Sequence, residues 1–163
     1  MARKPKSKQQ SLRLRPHHLL DIVTEYKPDE DPNYAPAPGE NGVRTITRLI
    51  GKTLDVEATF VIGPDSICDP CSHLGKNGRC DRILQHHKPP QAMDDYNDPL
   101  DARLLDYLGL KPGVTVSVRS FLEMVNARVP GIETVCTHVG QEPSARLAGL
   151  KAGLVALGVR ASL

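Results

Sequence analysis

Cys68 and Cys71 are separated by Asp-Pro, and Cys80 follows a stretch that holds Gly75, Asn77 and Gly78. A C-x-x-C turn lets two thiolates converge on one cation while backbone amides point at the sulfurs. The glycines allow the chain to curl back and deliver a third sulfur, because positive φ costs them nothing. Three thiolates in one loop repel one another unless a metal compensates their charge. The fourth and last cysteine is Cys136, in Cys136-Thr-His138 just ahead of the final expected helix. A helix N-terminus there would favour a thiolate. Cys68, Cys71, Cys80 and Cys136 are therefore read as ligands of a single metal centre, with His138 as the substitute should Cys136 lie far off. Paired C-x-x-C motifs, the mark of zinc ribbons, are absent. One C-x-x-C with two dispersed cysteines fits a 4Fe–4S cubane at least as well, and zinc is the alternative. A redox dithiol at Cys68 and Cys71 fits less well, since the motif sits in a Pro/Gly-rich loop and does not open a helix after a strand.

A second concentration of chemistry is Arg15-Pro-His17-His18-Leu19-Leu20-Asp21. On a helix His17 and Asp21 are i and i+4 and share a face, whereas His18 points about 100° away. Asp21 is expected either to orient His17 beside the metal or to be a ligand itself. The plainer alternative is a helix start with partly buried histidines. Arg15, His17, His18 and Asp21 are taken as the residues around the cofactor. His73 lies between Cys71 and Cys80 and is expected to be solvated. His86 and His87 read as an exposed helix end.

The elements that must position these groups follow from periodicity. Leu12 and Leu14 alternate with arginines, as in a short strand, and Pro16 suits the first turn of a helix running to about Tyr26. Residues 27–41 hold Pro28, Pro32, Pro36 and Pro38 and read as a loop. Val43, Ile46, Leu49, Ile50 and Leu54 recur at helical spacing, and Val56, Ala58, Phe60 and Ile62 alternate as a strand. A short helix is expected after Cys80, ending before Pro89. Asp98-Pro99 reads as the start of a helix whose buried face is Leu100, Leu104, Leu105 and Leu108. Val114, Val116 and Val118 alternate in another strand, and Ser120 with Glu123 forms a capping-box pattern ahead of a helix that Pro130 ends. The last helix is expected from near Pro143, with Leu147, Leu150, Leu154 and Leu157 as its stripe and glycines that would permit close packing. The expected fold class is α+β, with four or five helices, about three short strands and a Cys-rich metal-binding loop.

At 163 residues with 39% hydrophobic and 25% charged side chains, the chain suits one domain, 11–163, behind a basic tail at 1–10. The net charge is +2, and Arg3, Lys4, Lys6 and Lys8 concentrate positive charge in that tail, leaving a slightly acidic body. The tail reads as a solvated, disordered terminus rather than a nucleic-acid interface, because no basic–aromatic interleaving follows it. No apolar run reaches the roughly 18 residues of a membrane span, and Asp21 interrupts the only apolar stretch near the N-terminus. The cytoplasm is the expected location, where cysteines serve as metal ligands or redox groups rather than structural disulfides.

Two stretches carry a family resemblance: Leu14-Arg15-Pro16-His17-His18-Leu19-Leu20, and Gly63-Pro64-Asp65-Ser66-Ile67-Cys68 with Cys71 and Cys80 following. The chain resembles an uncharacterised bacterial and archaeal family of small iron–sulfur proteins, a domain of unknown function whose N-terminus reads Arg-Pro-His-His-Leu-Leu-Cys. A weaker match covers Leu108-Gly109-Leu110-Lys111-Pro112-Gly113 and the late Cys136. The resemblance implies a cluster-binding domain without assigning a reaction. This chain departs from the family in having Asp21 where cysteine follows Leu-Leu, Val139 where a second late cysteine stands, and a Pro-rich insert at 27–41. The expected function is iron–sulfur-cluster binding for electron transfer or redox sensing, with a redox partner protein and neither membrane nor nucleic acid as partners. The alternatives are a zinc-stabilised interaction module using the same cysteines, and a metalloenzyme with an open site near Asp21.

Overall fold

The structure, a computed structural model, describes residues 11–135 and 142–160. The basic tail at 1–10, together with Cys136, His138 and Val139, lies outside the described residues. The chain runs β1 (Leu12–Leu14), α1 (Pro16–Thr24), α2 (Val43–Lys52), β2 (Glu57–Phe60), β3 (Ile83–Leu84), β4 (Gln91–Ala92), α3 (Met93–Tyr107), β5 (Thr115–Ser117), α4 (Val118–Asn126), a 3-10 turn (Ile132–Thr134) and α5 (Pro143–Ala156). This is an α+β fold, with five α-helices and five short strands among the described residues.

The larger sheet has the order β1-β2-β5, with β1 parallel to β2 and β5 antiparallel to it. Leu14 lies opposite Phe60, and both are fully buried. Phe60 stacks on Phe121 of α4 at 3.9 Å between ring centres. The same buried core takes in Leu19 and Val23 of α1, Leu100, Leu104 and Leu105 of α3, and Leu122 and Val125 of α4. Aliphatic side chains thus supply nearly all of the buried surface, as the low aromatic content requires.

Pro16 occupies the first turn of α1, where its missing N–H leaves no bond unmade. β2 and β5 form inside the alternating segments at 56–62 and 114–118, except that Val118 is not in the strand but opens α4 behind its Ser117 cap, and the Pro-rich stretch at 27–41 is a loop. Three further local expectations are corrected. α3 begins at Met93, and Pro99 lies inside it. The ion pairs of Asp94, Asp98 and Asp101 with Arg15 pin the turns on both sides of Pro99, which offsets the hydrogen bond the proline cannot donate. The segment after Cys80 is not a helix: it folds back as the β3–β4 hairpin, since Pro89 and Pro90 leave too few residues for a helix to propagate. His86 and His87 consequently sit in that hairpin's turn. Finally, α4 is capped by Ser117, whose Oγ accepts the Ser120 N–H at 3.0 Å, so Ser120 is the third helical residue and not the cap.

The glycines of α5 do permit close packing. A Cβ on Gly149 would lie 2.7 Å from the Thr24 carbonyl oxygen, and one on Gly153 only 1.8 Å from that of Val23. α5 therefore rests directly on the backbone of α1, with Leu150 and Leu154 buried beside it. No described helix is long and apolar enough to cross a membrane.

Candidate metal centre

The two sequence stretches singled out above lie side by side. The Arg13 N–H donates to Ser66 Oγ at 2.9 Å, the Ser66 N–H returns a bond to the Arg13 carbonyl at 2.9 Å, and the Arg15 N–H donates to Asp65 Oδ2 at 2.7 Å. The end of β1 is thereby zipped to the loop that leads into Cys68. That loop is organised by Asp65, whose Oδ1 accepts the Ile67 and Cys68 N–H groups at 3.0 and 3.1 Å. An aspartate that bonds the backbone two and three residues ahead fixes a turn, and the C-x-x-C motif starts from it. The Cys71 N–H then bonds the Cys68 carbonyl, and Leu74 bridges to Cys80, closing the loop. Gly78, at φ +75°, makes the reversal that returns the chain to Cys80.

Cys68, Cys71 and Cys80 share one cleft of about 270 Å³ with Arg15, His17, His18 and Asp21. Each of the three is a free, half-buried thiol. The cleft thus gathers seven of the eight residues expected at the site, and Cys136, the eighth, lies outside the described residues. His73 also borders the cleft, with its Nδ1 against Asp81 at 2.8 Å.

Behind the cleft lies a buried ionic network. The Arg15 guanidinium, 1% exposed, donates to Asp98 and Asp101 at 2.9 Å and to Asp94 at 3.1 Å. Burial alone would lower its pKa, but hydrogen bonds and charge from Asp101, then Asp98, carry it above its ordinary value. Asp94 uses its other oxygen to accept the Cys80 N–H at 2.8 Å. Asp101 accepts both the His17 N–H at 2.9 Å and the His17 ring Nδ1 at 2.8 Å. The carboxylate on the His17 ring is therefore Asp101, which corrects the expectation that Asp21 orients it; Asp21 meets Arg146 of α5 at 3.4 Å. His18 Nδ1 lies 2.9 Å from Asp65 Oδ2. An ionised carboxylate can only accept, so in both rings Nδ1 is the donor to its aspartate.

Burial raises the pKa of Asp65, but His18, the Arg15 N–H and Cys68 overturn this and hold it below the ordinary carboxylate range. Burial pushes the Cys68 thiol up to about 12, and the Asp65 charge adds to the rise. A bare Cys68 is thus a thiol rather than a nucleophilic thiolate, and a cation is the partner that would draw it into the ionised form.

The residues that the sequence reading passed over are Asp65, Asp94, Asp98 and Asp101. Asp65 stands in the Gly-Pro-Asp-Ser-Ile-Cys stretch already noted, where a turn-forming aspartate three residues before a cysteine was a usable signal. The other three recur at i, i+4 and i+7, a one-sided acidic stripe that made sense once α3 was known to begin before Pro99. Comparison with family models, with curated proteins and with solved structures finds no match for the chain.

Proposed function

We propose that this chain binds an iron–sulfur cluster in the Cys68–Cys71–Cys80 cleft and uses it for electron transfer or redox sensing. The observation that carries the reading is the convergence of three free thiols on one cleft beside the His17-His18 turn, with the backbones of Cys68 and Cys80 tied to the buried Asp65 and Asp94. The resemblance to the iron–sulfur family adds support, because its two specific stretches are the ones that meet here. When bound, a cluster would supply one-electron chemistry. The carboxylates around it would favour the more positive, oxidised state and so lower its reduction potential.

A second reading is a single zinc ion that stabilises an interaction module. It is favoured by one proximity: a ring nitrogen of His18 and the sulfur of Cys68 lie within 4.8 Å of each other, beside the other two cysteines of the same cleft. Anaerobic purification of the full chain separates the two. Brown protein containing iron and acid-labile sulfide is the expected result. Colourless protein with stoichiometric zinc would reject the cluster.

A further inference from the structure

We infer that His18, through Nε2, is a ligand of the centre and that Asp65 is the residue that positions it, giving a donor set of Cys68, Cys71, Cys80 and His18. The inference rests on the metal-binding reading above and supplies its fourth donor.

Proximity comes first. A ring nitrogen of His18 and the sulfur of Cys68 lie within 4.8 Å of each other and of an Asp65 oxygen. The imidazole and the thiol therefore stand next to each other on the cleft, as neighbouring ligands of one centre must. Orientation is the second point. Asp65 is fully buried and accepts four bonds, from the Arg15, Ile67 and Cys68 N–H groups and from His18 Nδ1. One carboxylate therefore fixes the ring and the neighbouring cysteine together. A carboxylate on the far nitrogen is the usual support of a ligating imidazole. Because its oxygens are committed to these bonds, Asp65 acts as the positioning residue and not as a ligand. Charge is the third. Three thiolates would already face Asp65 and Asp94, and a fourth would add another negative charge, whereas a neutral imidazole adds none. His17 is the weaker candidate: both its N–H and its ring are tied to Asp101, and it does not join the close group.

The test uses the full chain, labelled with ¹⁵N in the histidine rings and reconstituted without oxygen using ferrous iron and sulfide. Pulsed electron paramagnetic resonance of the reduced protein then reads nitrogen coupled to the cluster. The expected result is imidazole coupling that persists in Cys136→Ala and vanishes in His18→Ala, with Asp65→Asn losing roughly 10–100-fold in metal affinity. A cluster without imidazole coupling, or with coupling unchanged in His18→Ala, overturns the assignment and leaves the cluster reading standing. If no iron–sulfide species forms, the cluster reading fails, and Co²⁺ titration decides His18 separately. A tetrahedral cobalt spectrum that shifts in His18→Ala supports the assignment; an unshifted spectrum or no cobalt binding overturns it.

Discussion

A guanidinium cut off from water has to replace its lost hydration with acceptors, and Arg15 finds three of them in Asp94, Asp98 and Asp101. Removing one partner of such a buried set leaves charge uncompensated and typically costs about 3–5 kcal/mol. Arg15→Met should therefore lower stability by about that amount, with a urea midpoint shift as the measurement. Asp98→Asn should cost much less, because Asp98 is 29% exposed and water can take the place of the lost charge. Arg15→Lys should resemble Arg15→Met more than wild type, since a single ammonium cannot serve three carboxylates arranged around a planar fork. The residue types at this site were legible in the chain. The pairings were not: Arg15 and its acceptors are 79 to 86 positions apart. The i, i+4 rule therefore offered Asp21 as the support for His17, and the real one came from α3.

At the scale of elements, α2 and the Pro-rich loop before it form a unit. Arg44 and Arg48, one helical turn apart, both grip Asp29, and Arg44 lies over the Tyr34 ring at 4.0 Å. The hydrogen bond from Arg44 lowers Asp29 to about 2 from an ordinary value of 3.8. A carboxylate shifted downward contributes stability that is fully present above its unfolded value and disappears as pH falls through the folded one. Amide exchange in residues 29–34 should accordingly quicken as pH drops from 4 to 2 (after correction for intrinsic rates), and Asp29→Asn should bring the quick exchange to neutral pH. The same loop reaches the cysteine-lined cleft, where the Ser72 N–H bonds the Gly39 carbonyl and the Gly42 N–H bonds that of Ile67. Most elements were readable from periodicity, including β1, α2, β2 and α5. α3 and the β3–β4 hairpin were not, because ion pairs to a distant residue and two adjacent prolines overrode the local pattern.

At the scale of the whole molecule, α1 and α5 make the most extensive contact between elements among the described residues. Gly153 lets the two backbones meet, so Gly153→Ala must push them apart, and overpacking of this kind costs about 1–3 kcal/mol or more. The variant should melt lower in a thermal scan and, on the proposed metal-binding function, should also hold metal more weakly, because α1 carries His17 and His18. The close approach was foreshadowed by the glycines of the last segment, though nothing in the chain said which helix they would meet. Asp21 and Arg146, which sit across this contact, are 125 positions apart. On the ribosome, then, the histidine-bearing helix emerges long before the helix that seats it. Any cation the cleft were to take would meet loose thiols and imidazoles until α5 has been made and has packed on α1.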